Sequence, residues 1–422
     1  MSIRCLFWGD MAATGFGTVT MDIGRAMLDL GLDVRFISQN DVQNLPEPYA
    51  SRTLGVESLI SAQAKIVGGH VEPAGITALA EFVPNILNGK GDGYFATDGT
   101  AWTDWKPQIN FLLGDYMAAE LFLGPYLSEF AQVPTWHYVP IEGVGLPPAW
   151  ANLWRVVKPI AMSEFGVREI AKVTGYEPPL AYHGVDTDVF HPVAPSTPIV
   201  IRDKKEKGLL HSITSKERAK TFFAQDPKRR WVFRNDRHMP RKNYNGLIRA
   251  MVPVLKERPD VDLVIHNRPH DQGGNLIWTL SKYPEVQKQV ILTGLGPVPR
   301  DTLATMYNAA DVFASSSAEG FGLCIAESIA CGVPAVGLEY SAVPEVIGPA
   351  GVVVPIETLT DNEYDHFWAR PQEDKFAEAV SWFLDHPARA RETGANGPRH
   401  VKANFQWAKA AEVFATLAED AV

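Results

Sequence analysis

The feature that most constrains this chain is an alternation of short apolar runs and segments with helical spacing, which occurs in both halves. Ile3 to Trp8 is an apolar run ending at Gly9. The glycine-bearing loop Thr14-Gly15-Phe16-Gly17-Thr18 follows, then Val19, Ile23, Ala26, Met27 and Leu30 recur at helical spacing until Gly31 stops the helix. Val34 to Ile37 is the next run, and Ile109 to Leu113 and Val133 to Val139 read as later strands. After Pro159 to Met162, Ser163 is placed to cap a helix over Glu164 to Val173. The second half opens with a charged helix, Lys216 to Ala224. Strands Trp231–Arg234, Val261–His266, Val290–Thr293, Val312–Ala314 and Pro334–Gly337 then interleave with helices Tyr244–Glu257, Arg300–Ala309 and Phe321–Ala330. Such alternation implies parallel sheets covered by helices, so the expected fold class is α/β with two Rossmann-like doubly wound domains. Their expected limits are 1–193 and 194–404, with a Pro-rich linker running to Pro198. Residues 405–422 are expected to hold a docked helix, with Trp407, Ala411, Phe414 and Leu417 on one face.

Composition narrows the function classes. Hydrophobic residues make up 46% and charged residues 21%, the balance of a folded enzyme. No apolar run approaches the roughly 18 residues of a spanning helix, and the N-terminus turns polar too soon for a signal peptide. Cys5, Cys324 and Cys331 lack metal-ligand spacing and read as free thiols, so the expected location is cytoplasmic. A net charge of -10 disfavours polyanions as general partners. Yet Arg202 to Lys242 holds 14 Lys/Arg against 5 Asp/Glu. That stretch is either a solvated face or a positive rim for a diphosphate or an anionic acceptor, nucleic acid included.

The segment Ser315 to Glu327 carries the strongest chemical signal. A strand ends near Ala314, Gly320 and Gly322 let backbone approach a ligand, and the next helix turns its unpaired N–H groups outward. Such a helix end is suited to a diphosphate. Glu319 and Glu327 either offer carboxylates to sugar and ribose hydroxyls, or serve respectively as a helix cap and a solvated side chain.

Tyr307-Asn-Ala-Ala-Asp-Val-Phe313, the run from Glu319-Gly-Phe-Gly through Glu327 to Gly337, and Val343-Pro-Glu-Val-Ile347 resemble family-4 retaining glycosyltransferases of the GT-B fold. The resemblance implies two domains facing across a cleft, with the final helix packing back on the N-terminal, acceptor-side domain. It further implies that Glu319 contacts the donor sugar and Glu327 the ribose, while the Phe321-Gly322-Leu323 backbone holds the diphosphate. Asp236 to Asn243 resembles the family's phosphate-neutralising pair, giving that role to Arg237 and Lys242, with Arg241 as the competing neighbour. Gly15 and Gly17 match its glycine loop, and His137 its active-site histidine, although a core histidine bonded to backbone fits the same position. Glu142, on a nearby loop, either positions an acceptor hydroxyl or caps a turn.

The implied reaction moves a sugar from a nucleotide diphosphate, UDP or GDP, to a hydroxyl with retention, without cofactor or metal. Asp186-Thr-Asp188 matches a metal-binding signature of another glycosyltransferase architecture, but its context points to turn capping. Alternatives are a hydrolase, phosphorylase or epimerase of nucleotide sugars, or a binding protein without turnover. Nicotinamide binding is disfavoured because the first loop lacks the third glycine. The sequence leaves the acceptor open between glycan, small molecule and nucleic acid.

Overall fold

A computed structural model of the chain describes residues 2–12, 14–38, 45–55, 66–67, 70–71, 82–90, 94–193, 199–202, 209–213, 220, 226, 228–294, 296–362 and 366–422. The chain divides into two compact units. The first comprises Met1–Ile141, Leu146–Gly184 and Trp407–Val422; the second comprises Glu142–Gly145 and Val185–Gln406.

The first unit is built on strands β1 (Arg4–Gly9), β2 (Asp33–Ser38), β3 (Thr53–Gly55), β4 (Ile109–Leu113), β5 (Thr135–Val139) and β6 (Lys158–Ala161). All pairings are parallel, in the order β3-β2-β1-β4-β5-β6. Parallel strands are covered on both faces, which is why β4 is Ile-Asn-Phe-Leu-Leu with every residue buried. Helix α1 (Gly15–Asp29) returns the chain from β1 to β2, and α2 (Glu164–Thr174) follows β6. Ser163 caps α2 as its sequence position indicates, its hydroxyl accepting from the Gly166 N–H at 3.0 Å. The C-terminal helix, Trp407–Glu419, packs on α1. Its Phe414 ring lies 4.8 Å from Phe111, 5.2 Å from Tyr138 and 6.1 Å from Phe7, centroid to centroid. Burying such a ring contributes roughly 1.5–3 kcal/mol, enough to anchor a single helix.

The second unit repeats the topology. Its strands are β7 (Arg230–Asn235), β8 (Val261–His266), β9 (Val290–Leu292), β10 (Val312–Ala314), β11 (Ala335–Leu338) and β12 (Gly351–Val354). They pair in parallel in the order β9-β8-β7-β10-β11-β12. Helices α3 (Tyr244–Glu257), α4 (Arg300–Ala309), α5 (Leu323–Ala330) and α6 (Glu373–Asp385) belong to this unit. Its core joins Leu247 and Met251 of α3 to Leu263 and Ile265 of β8 and to Phe376 and Val380 of α6.

Each unit is therefore a doubly wound α/β domain, and each sheet reverses its strand order beside its first strand. In open α/β sheets, ligands bind at the carboxyl ends of the strands at that reversal. The hairpin β13 (Ile356–Asp361) and β14 (Phe367–Pro371) is not anticipated by the sequence reading, because Glu357, Thr358, Thr360 and Asp361 mask its strand pattern. Most of the expected helix 216–224 and residues 194–198 of the expected linker lie outside the described residues.

Candidate active site

The strand-order reversal of the second unit lies between β7 and β10, and charged residues converge there. Arg234, near the end of β7, is fully buried. Its guanidinium donates to Ser315 Oγ at 2.5 Å and Ser317 Oγ at 2.8 Å, and lies 3.2 Å from Asp236 and 3.6 Å from Glu319. The turn Pro240–Lys242 before α3 brings Lys242 inward, where Nζ contacts Glu319 Oε1 and Oε2 at 2.9 and 2.8 Å and Asp236 Oδ2 at 2.5 Å. Asn243, in left-handed conformation (φ 49°), ends that turn and leads into α3. Arg241 donates to Glu319 Oε2 at 3.0 Å, to the Ala318 carbonyl at 2.8 Å, and pairs with Glu142 at 3.1 Å.

Glu319 is the centre of this network. Burial alone would raise its carboxyl, but Lys242, then Arg241 and Arg234, outweigh that and hold it well below the usual carboxylate range. Burial likewise opposes the Arg234 charge, and Cys324, Tyr244, Asp236 and Glu319 more than offset it. Ion pairs buried this deeply return little net stability. Their concentration at one sheet edge is the mark of a functional site.

Helix α5 begins at Leu323, two residues later than the sequence pattern suggests. Gly322 takes a left-handed conformation (φ 99°) as its N-cap and no side chain caps the helix, so its first N–H groups are left for other partners. A side chain at Gly322 would be strained by that φ and would sit 3.3 Å from Glu319 Cγ. Glu327, one turn along α5, accepts the Tyr307 hydroxyl at 2.9 Å.

Arg237 is placed differently from Lys242. Its side chain is exposed and reaches Asp271 at 3.2 Å, and it is Arg241 that joins Arg234 and Lys242 at Glu319. Glu142 joins it because residues 142–145 belong to the second unit: Val144 donates to the Tyr340 hydroxyl at 2.9 Å, and Phe367 N–H donates to the Val144 carbonyl.

In the first unit, Gly15 and Gly17 form the first turn of α1 rather than a preceding loop. Thr14 is the N-cap and accepts from Gly17 N–H at 2.9 Å, while Asp10 accepts from Thr14 at 2.5 Å and from Ala12 N–H at 2.8 Å. A Cβ at Gly17 would lie 1.8 Å from the Ala12 carbonyl oxygen, whereas at Gly15 it would meet nothing within 4 Å. Gly17 closes the turn, and Gly15 leaves backbone open. His137 is fully buried, with Nε2 at 2.9 Å from the Gly114 carbonyl and Nδ1 accepting from Trp154 at 3.3 Å. Burial, partly opposed by the Gly114 bond, lowers it to about 4, so it is neutral near pH 7 with both nitrogens engaged.

Asp186 accepts from Asp188 N–H at 3.1 Å and its carbonyl accepts from Phe190 N–H, the turn-capping arrangement. Asp236, Glu319 and Cys324 place potential metal-ligand atoms within 4.8 Å of one another. Their carboxylate oxygens already accept from Lys242, Arg241 and Arg234, so a metal there would have to displace cations. Arg234 and Asp236 carry little sequence signal beyond a charged residue closing the apolar run Trp231-Val-Phe. Among the described residues, no helix is long and apolar enough to cross a membrane.

Comparison with known proteins finds a family match over part of the second unit. Residues 230–386 match the family model described as Glycosyl transferases group 1. A GDP-mannose-dependent monoacylated alpha-(1-6)-phosphatidylinositol monomannoside mannosyltransferase of Corynebacterium glutamicum is 31% identical over 182 residues, covering 41% of this chain and 42% of that protein. O-antigen chain mannosyltransferase B of Escherichia coli is 35% identical over 145 residues, covering 34% and 37%. The chain thus matches less than half the length of these relatives. Among solved structures, sucrose-phosphate synthase from Thermosynechococcus elongatus superposes with a TM-score of 0.69 at 17% identity, covering 99% of this chain and 98% of that one. Anabaena HepE, solved with UDP and glucose, gives 0.67 at 14% identity with 98% of each chain covered. These likenesses show the GT-B fold.

Proposed function

We propose that this chain, which carries a Glycosyl transferases group 1 domain, is a glycosyltransferase that moves a sugar from a nucleotide diphosphate to an acceptor hydroxyl with retention and without a metal. The observation that carries this reading is the Lys242–Glu319–Arg241 network beside the uncapped start of α5. It supplies cations and backbone N–H groups where a leaving diphosphate accumulates charge, and preorganised donors of this kind are the largest single source of catalysis in many enzymes. Lys242 and the Phe321-Gly322-Leu323 backbone take the diphosphate, with the exposed Arg237 as a further cation. Glu319 orients the transferred sugar through its hydroxyls, and Glu327, steadied by Tyr307, takes the ribose. Glu142 sets the position of Arg241 and lies where an acceptor hydroxyl can be received.

The step breaks the bond from the anomeric carbon to the diphosphate oxygen and forms one to the acceptor oxygen on the same face. The acceptor's proton passes to the departing phosphate oxygen, so no enzyme nucleophile is required. His137, neutral and with both nitrogens engaged, acts by fixing the Gly114 backbone at the end of β4. The names of the relatives make GDP-mannose the first donor to test, followed by UDP-sugars.

The experiment is a donor panel with pooled hydroxyl acceptors, scored for nucleoside diphosphate release and for the anomeric configuration of the product. Acceptor-dependent release, a retained anomer and full activity in chelator support the reading. Acceptor-independent release of free sugar identifies a hydrolase instead, and a requirement for added divalent metal overturns the metal-free mechanism.

A further inference from the structure

The second unit contains a cavity of about 430 Å³ whose lining residues include none of the Glu319 network. Its walls come from the turn before α3, from α3 itself, from the β13–β14 hairpin and from the start of α6. Two arginines line it, and their circumstances differ. Arg249 is held by Glu373, with Nε at 2.9 Å and Nη2 at 2.5 Å from the same carboxylate oxygen. Arg370, on β14, is partly buried, and its side chain forms no hydrogen bond or ion pair among the described residues.

An arginine half removed from water without an anion carries an uncompensated desolvation cost. Burial lowers the Arg370 pKa, and repulsion from Arg249 lowers it further. Glu373 is committed to Arg249, and Glu357, the other carboxylate of the lining, is exposed and makes no pair with Arg370. Asn245 adds a polar group: its Oδ1 accepts from Thr279 at 2.6 Å, and its Nδ2 has no partner among the described residues. The cavity falls within the roughly 300–1,000 Å³ range of small-molecule sites. Guanidinium forks match phosphate oxygens in a bidentate manner.

We propose that this cavity is a second anion site that takes the phosphate of a small phosphate monoester through Arg370, with Arg249 alongside. It stands apart from the donor diphosphate site in composition and does not depend on the reading of that site.

The test is calorimetric titration of the whole protein with inorganic phosphate and, separately, with glucose 6-phosphate. Wild type, Arg370→Gln, Arg249→Gln and Lys242→Ala are compared, and melting curves confirm that each variant is folded. The expected result is saturable binding that Arg370→Gln weakens at least tenfold, Arg249→Gln weakens less, and Lys242→Ala leaves in place. Nucleoside diphosphate affinity should be unchanged in Arg370→Gln. Equal affinities for the two probes identify a site that reads phosphate alone, and tighter binding of the ester shows that the cavity also holds the sugar. Absence of saturable binding at millimolar concentrations overturns the proposal, as does binding lost in Lys242→Ala but kept in Arg370→Gln.

Discussion

The two units share one strand order and differ in what they place where that order reverses. In the second unit the reversal gathers Arg234, Arg241 and Lys242 against Asp236, Glu319 and Glu142. In the first, the same position holds a capped helical turn at Thr14 and, one strand further, a neutral His137 sealed against Gly114 and Trp154. One topology thus supports a charged edge and a largely neutral one. The scaffold sets where a ligand can bind, and the few residues at the strand ends decide what kind.

The largest effect expected from disturbing this contrast is on chemistry in the second unit. Lys242→Ala or Glu319→Ala should lower turnover by about 10²–10³, the scale seen for loss of a preorganised electrostatic group. Circular dichroism should remain native in both, and near-normal turnover in both would remove the site assignment. In the first unit the corresponding disruption is structural. Gly17→Ala forces a methyl against the Ala12 carbonyl and should cost about 1–3 kcal/mol, read as a lowered melting temperature. Gly15→Ala, with open space around it, should leave melting unchanged or slightly raised, so any activity it loses reports ligand approach.

Acid sensitivity distinguishes the two edges again. The His137 pKa is depressed from the ordinary 6.5 to about 4, so its contribution to stability is complete above pH 6.5 and is lost as pH falls towards 4. That shift corresponds to about 3 kcal/mol at most. His183, lowered by burial to about 3 in the same unit, adds a loss in the same direction. Glu319 is also depressed, so the stability it contributes is lost only as pH falls below the ordinary carboxylate value of 4.5. Melting temperature should therefore decline between pH 6.5 and 4, and His137→Phe should make that decline shallower. An unchanged slope would show that His137 is not the titrating group. The smallest effect is expected at Tyr307→Phe, which removes one hydrogen bond to Glu327 and should raise the donor KM only several-fold, in line with about 0.5–1.5 kcal/mol.

The sheet strands were legible where apolar residues predominate, as in Val261–His266 and Ile109–Leu113, because burial on both faces favours apolar side chains and admits only the occasional polar one, Asp262 or Asn110. The hairpin at 356–371 was not, since a partly exposed antiparallel ribbon tolerates Glu and Thr. Glu319 stands out in its own segment, Lys242 comes from the family resemblance, and Arg241 enters only as its neighbour. That Arg241 rather than Arg237 joins Glu319 depends on the turn at Pro240–Lys242 and its left-handed Asn243, which side-chain spacing does not reveal. His137 shows the converse: the family resemblance pointed to chemistry and the bare residue equally to a core histidine, and in the described fold its ring bonds to Gly114 and Trp154.

The most direct test of the central claim is equilibrium binding of GDP-mannose and UDP-glucose to wild type and Lys242→Ala across a salt series. At least one of them should bind saturably, with an affinity that weakens with salt and falls at least tenfold in the variant. Equal affinity of both proteins for that ligand would contradict it.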